Sequence, residues 1–169
     1  IASSNGLFPE RYVKEFQKCL DRVPPEPWEL VRQTLTLALG KPPEQVFTTI
    51  DTKPLASASI AQVYAVTLVE NGETHDLVVK VQRQHLPELV AADVSMLSFC
   101  ADVLAMLPGV RAANPQAVVA QFQRNIAEEL DFLGEASRME EFNQIMRDLG
   151  RSDVVAPRPL RALCRRDVL

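Results

Sequence analysis

Apolar residues recur at different intervals in successive parts of the chain, and each interval predicts an element. Pro9, Tyr12, Val13, Phe16 and Leu20 follow a helical period that stops before Pro24 and Pro25. A second helix is predicted from Pro27, which suits a first helical position, through Trp28, Val31, Leu35 and Leu39, with Gly40 placed to cap it. The pattern changes at Val46. Thr48 to Asp51 reads as extended, and Ile60 to Val69 is rich in β-branched and aromatic residues. Asn71-Gly72 is a hairpin turn signal because both central positions of the tight turn take positive φ. The return strand is predicted over residues 76–82.

Helical spacing returns after Pro87. Leu89, Val90, Val94, Leu97, Ala101, Leu104 and Leu107 predict a long helix ending at Pro108-Gly109. Asn114-Pro115 is a cap and first-turn pair for another, carried by Val118, Val119, Phe122, Ile126, Leu130, Phe142 and Met146 to Gly150, with a bend expected near Gly134. Val154 to Leu163 reads as short strands broken by Pro157 and Pro159, and Val168-Leu169 as the start of another. Helices, then a hairpin, then long helices, then strands make an α+β order, not an alternating βαβ one. The expected division is a helical extension over residues 1–46 and a second region over 47–169.

Composition narrows the function classes. The 169 residues are 47% hydrophobic and 24% charged, an ordinary globular balance. A net charge of -4 offers no broad basic face for nucleic acid. Cys19, Cys100 and Cys164 lie far apart with no Cys/His ligand spacing, so neither zinc nor a disulfide framework is expected, and the thiols read as small packed apolar groups. The apolar run from Val94 to Pro108 is broken by Ser95, Ser98 and Asp102, and no stretch approaches the roughly 20 residues that span a bilayer. The start at Ile1 and the stop at Leu169 read as cut ends, so a fragment of a longer protein is expected.

Three features carry candidate chemistry. Ala56, Ser57, Ala58, Ser59, Ile60 and Ala61 are small at five of six positions just ahead of the hairpin, which lets backbone N–H groups approach phosphate oxygens. The plain alternative is a tight turn into a strand. Lys80 sits among valines on the face opposite Val79 and Val81, where it needs a partner or an open cleft; the alternative is a solvent-facing lysine. Glu128, Asp131 and Glu135 fall on one face of a continuous helix, with Glu129 pointing elsewhere; the alternative is a solvated helix face. Taken singly, each is more often structural. Taken together, a small-residue loop, a hairpin, a V-V-K-V strand and a glutamate-bearing helix follow the ATP-binding logic of a protein-kinase N-lobe.

The string PLASASIAQVY…LVVKVQR resembles the UbiB family of atypical kinases, in its ubiquinone-biosynthesis branch, where an alanine-rich loop replaces the usual glycine-rich one. EELDFLGEA resembles the family's E-x-D stretch followed by R-E-A. LFPERYVKEFQKCLDRVPPEPWELVRQTLTLALGKPPEQVF is similar to the segment before the loop, and DVVAPRPLRALCRRDVL to the strands before the hinge. The resemblance implies that residues 56–61 form the nucleotide loop, that Lys80 grips the phosphates, and that Glu135 is its ion-pair partner. It implies that Glu129 and Asp131 are the regulatory E-x-D pair, which in the family engages a K-x-G-Q motif that this chain lacks. ATP with Mg is the implied cofactor, in a complete protein whose metal ligands lie outside this chain.

Departures from the family pattern are Ser57 and Ala61 in place of alanine and glycine, Gly134 in place of arginine, and Arg138 in place of asparagine. The glycine lowers helix stability by about 1 kcal/mol relative to alanine. No H-R-D-like or D-F-G string occurs, so phosphoryl transfer by this chain alone is not expected. Implied partners are nucleotide, a membrane or lipid surface, and quinone-biosynthesis proteins, with a mitochondrial, plastid or bacterial membrane setting. Two other classes stay open at this point: a non-catalytic pseudokinase or scaffold module, and a membrane-associating helical protein using Phe16 and Trp28.

Overall fold

The computed structural model describes residues 23–70 and 72–169. The helical pattern predicted from Pro9 to Leu20 lies outside them, as do Cys19 and Asn71. The described residues fall into two compact units, one running to Gln84 and including Val168, the other from His85 to Asp167 with Leu169.

In the first unit, α1 spans Trp28–Leu39. Pro27 stands one place before the helix, at the N-cap, where the fixed φ of proline still leads into the first turn. Gly40 closes the helix at φ 73, donating its N–H to Thr36 O; an L side chain would be strained there. Val31 and Leu35 on the inner stripe are buried, and Trp28 meets the Tyr64 ring edge-on at 5.4 Å.

The sheet has four strands: β1 Thr49–Ile50, β2 Ala56–Ser57, β3 Ala61–Glu70 and β4 Glu73–Gln82. Strand β4 starts three residues earlier than its alternation predicts, while β3 keeps the predicted length one residue further on, and the two pair antiparallel from Glu70↔Glu73 to Ala61↔Gln82. Gly72 takes φ 84 in the connecting turn. β1 and β2 both pair antiparallel with β3, at opposite ends of the edge that β4 leaves open. They are two pieces of one interrupted edge strand, so the strand of Lys80 is the third across the sheet. Val168 adds an isolated antiparallel bridge to Val81. Gln62, Tyr64, Val66, Val79 and Val81 line the buried face.

In the second unit, α2 spans Leu86–Ala105, α3 Pro108–Arg111, α4 Pro115–Glu129 and α5 Phe132–Asp148. Pro108-Gly109 begins a short helix instead of ending a long one, because α2 has already closed at Ala105. Asn114 caps α4, its side chain accepting the Ala117 N–H at 3.3 Å. The helical pattern from Asn114 to Gly150 is not one bent helix. It breaks at Leu130-Asp131, where Asp131 becomes the N-cap of α5 and accepts the Gly134 N–H at 3.0 Å. Gly134 permits this, since a Cβ there would press on Asp131 Oδ2 and lie 2.9 Å from its Cγ. The bend expected at the glycine therefore sits at the aspartate. Phe132 and Ala136, one turn apart, are fully buried on α5.

Residues 154–163 form no strands. Side-chain hydrogen bonds to α5 hold this strap instead. Buried Asn143 bonds both backbone groups of Ala156, accepting its N–H at 2.8 Å and donating to its carbonyl at 3.0 Å. With Pro157 and Pro159 unable to donate to a ladder, side-chain amides replace sheet pairing. Asn143→Ala is expected to leave the Ala156 groups without partners and lower stability by about 1–3 kcal/mol. Faster hydrogen exchange at the Ala156 amide, with α4 amides unchanged, is the measurement that checks it.

Arg161 supplies the second tie. It donates to Glu140 Oε1 and Oε2 at 2.8 and 2.6 Å and to Ser137 Oγ at 2.8 Å. These hydrogen bonds hold the Glu140 carboxyl below its ordinary pKa. A lowered folded-state pKa contributes stability that is present above the ordinary carboxylate range and lost as pH falls through the lowered value. The Arg161 Nε–H resonance is therefore expected to keep its position at neutral pH and shift only in acid, below the range where a free glutamate titrates. Glu140→Gln should erase that step. Cys164 is buried and burial pushes its thiol up, whereas Cys100 is exposed, contrary to the expectation that it is packed.

Candidate functional site

Sheet register brings two of the three candidate features together. Val63 of β3 is the cross-strand partner of Ala56 on one side and of Lys80 on the other. Ala56, Val63 and Lys80 thus form one row across β2, β3 and β4. Residues directly opposite point to the same face, so the first residue of the small-residue loop and the lysine share a face, two strand spacings apart or roughly 10 Å. The next row, Ser57, Gln62 and Val81, belongs to the opposite face. Val79 and Val81 are buried while Val78 is 60% exposed, so Lys80 stands on the open side of the strand, itself half-buried.

The loop is narrow and its tip is open. Ala58 and Ser59 are exposed. The Ala58 N–H is held by Ala61 O at 2.9 Å, and Leu55 N–H by Val63 O at 2.8 Å. Among the described residues, the N–H groups of Ser59 and Ile60 have no acceptor. Two successive backbone donors flanked by small side chains fit the oxygens of a phosphate group. A positive side chain on the same sheet face adds a charge that favours such an anion.

Arg83 and Gln62 belong to this region, and the sequence reading did not single them out. Arg83 donates from Nε to Ala58 O, and from Nη2 to Ser57 Oγ and Pro24 O, each at 2.9 Å, and its backbone N–H reaches Ile60 O at 3.0 Å. Gln62 is 1% exposed. Its Oε1 accepts from the Glu26 N–H and the Tyr64 hydroxyl, and its Nε2 donates to Glu26 Oε2. Burial, with the Glu26 carboxylate, pushes the Tyr64 phenol up, against the opposing Arg83 charge. The sequence signal for Gln62 was a polar residue in phase with inward-facing Tyr64 and Val66. For Arg83 there was none, because its partners lie 25, 26 and 59 residues away.

The acidic residues occupy the second unit. Glu128 and Glu129 end α4, Asp131 is the cap, and Glu135 stands half-buried in the first turn of α5, its N–H bonded to Asp131 O at 2.9 Å. The helix break means that Glu128, Asp131 and Glu135 do not share one helical face. Asp131 spends one carboxylate oxygen on its cap, and Arg138 Nη2 reaches Glu128 O at 3.4 Å across the elbow. Neither Lys80 nor Glu135 is without a partner. A groove of about 650 Å³ in this unit is lined by Val90, Val94, Ile126 and Leu130, together with Asp131 and Arg166. No described helix is long and apolar enough to cross a membrane. Among the described residues, no three His, Cys, Asp or Glu side chains gather as a metal site.

A model of the ABC1 atypical kinase-like domain matches residues 18–169. The chain is 36% identical over 171 residues to an uncharacterized, chloroplastic aarF domain-containing protein kinase of Arabidopsis thaliana, an alignment spanning 100% of this chain and 31% of that protein. It is 33% identical over 171 residues to a probable protein kinase UbiB of Edwardsiella ictaluri, again across 100% of this chain and 31% of the relative. Among solved structures, the complex of Rv3197 with erythromycin from Mycobacterium tuberculosis superposes with a TM-score of 0.61 at 27% identity, over 81% of this chain and 34% of that one. The chain thus spans about three tenths of the length of the curated relatives it matches.

Proposed function

The chain belongs to the ABC1 atypical kinase-like domain family, and from that premise we propose that it is the nucleotide-gripping lobe of an atypical kinase or ATPase that supports isoprenoid-quinone biosynthesis. The observation that carries the reading is the row Ala56–Val63–Lys80, which sets the first residue of the small-residue loop and a cationic side chain on one sheet face. In this reading the 56–61 loop holds nucleotide phosphates through backbone N–H groups, and small side chains keep the approach clear. Lys80 binds the α- and β-phosphates, and it is the family resemblance that assigns Glu135 the role of its ion-pair partner. Glu129 and Asp131 form a regulatory pair at the elbow between α4 and α5.

Mg-ATP supplies the transferable phosphoryl group and its counter-charge when bound. In this reading the chain's own residues bind and orient the nucleotide. The quinone-biosynthesis role and any lipid or protein partner come from the resemblance to the UbiB relatives. The test is a titration of the full-length protein with Mg-ATP. Saturable binding displaced by ADP is expected. No binding at millimolar nucleotide would remove the assignment.

A further inference from the structure

From the hydrogen bonds converging on one guanidinium, we infer that Arg83 is a positioning residue that sets the shape of the 56–61 loop before any ligand arrives. This deepens the nucleotide-binding reading and rests on it for the identity of the ligand.

Arg83 follows β4 directly, so its backbone continues the hairpin with an N–H bond to Ile60 O at 3.0 Å. Its side chain then turns toward the loop. Nε donates to Ala58 O, and Nη2 to Ser57 Oγ, both at 2.9 Å. One residue therefore touches the loop at positions 57, 58 and 60, on both sides of its exposed tip. Nη2 also donates to Pro24 O at 2.9 Å, so the same group ties the loop to the segment leading into α1. That segment is itself anchored, because Glu26 exchanges two hydrogen bonds with buried Gln62, and Gln62 is the cross-strand partner of Ser57.

With Ile60 as its one large residue, a loop otherwise of alanines and serines has little side-chain mass to define its own conformation. The planar fork of arginine presents several donors in fixed directions, which a lysine cannot reproduce. By occupying the Ala58 carbonyl and the Ser57 hydroxyl, the guanidinium holds the acceptor groups of the loop away from the tip. The N–H groups of Ser59 and Ile60 are left as the groups presented there. Ser57 supplies one of the acceptors.

The experiment uses the full-length protein as Arg83→Lys, Ser57→Ala and the double variant, with amide hydrogen exchange and affinities for ATP, ADP and adenosine. Arg83→Lys is expected to speed exchange at residues 58–61 by about 10-fold or more, leaving Tyr64 and Val79 amides unchanged. ATP and ADP should weaken by about the same factor while adenosine, which has no phosphate for the loop to hold, binds as before. Ser57→Ala should add little in the Arg83→Lys background. Unchanged loop exchange in Arg83→Lys would overturn the inference, as would exchange that rises equally in the hairpin or affinity lost equally for adenosine. If the unmodified protein binds no nucleotide, the functional reading fails and exchange alone judges the strut. A faster loop then upholds it and an unchanged loop overturns it.

Discussion

Lys80→Ala in the full-length protein is expected to abolish nucleotide binding while leaving the fold intact. Both halves of that result follow from the strand alternation. The buried side of β4 is carried by Val79 and Val81, at 4% and 1% exposure, and the ammonium stands on the other side. Removing it takes nothing from the apolar face that holds the hairpin. It does remove the cation on the row shared with Ala56. Losing one member of a desolvated charge pair costs about 2–5 kcal/mol, which is roughly 30-fold to several thousand-fold in affinity. Calorimetric titration with Mg-ATP reads the first half, and the circular dichroism melting curve reads the second. An affinity equal to that of the unmodified protein would sink the assignment of Lys80. A collapsed melting transition would contradict the placement of the lysine on the open face.

Phe132→Ala is expected to be the most damaging single truncation in the second unit, lowering stability by about 3–5 kcal/mol. Phe132 is 0% exposed and begins α5 immediately after its cap. Its ring and Ala136 fix the rotation of the first helical turn, which also carries Glu135. Native-state hydrogen exchange should show protection lost along α5, with the β3–β4 hairpin retaining its own. Leu133→Ala is the control, because that neighbour is 40% exposed and its loss should be small. Equal effects at the two positions would mean that α5 is not held by its buried face.

Local chemistry made much of this architecture legible. Alternation and the Asn-Gly turn announced the hairpin, and the predicted face of Lys80 is the one observed. Trp28, Val31 and Leu35 with Gly40 were enough to place α1 within a residue at its start, and Asn114-Pro115 did the same for α4. Each of these signals acts within a few residues, through φ restrictions, cap hydrogen bonds or side-chain period. The break at Asp131 was less visible because apolar spacing continues through it. The competition was between helix continuation and an N-cap, and the space above Gly134 tipped it. The strap over residues 154–163 has strand-like composition, yet its ladder groups found Asn143 instead of a neighbouring strand.

Residue type and spacing were sufficient to specify the α+β order, the small-residue loop, the lysine strand and the family resemblance. Three-dimensional packing alone decided that Ala56 and Lys80 stand in one row and that Arg83 ties the loop to Pro24. The reason is physical. Propensities and caps are energies of neighbouring residues. Strand register and long-range hydrogen bonds join groups tens of residues apart, and they form only once burial of Tyr64, Val79 and Val81 has selected which strand lies beside which.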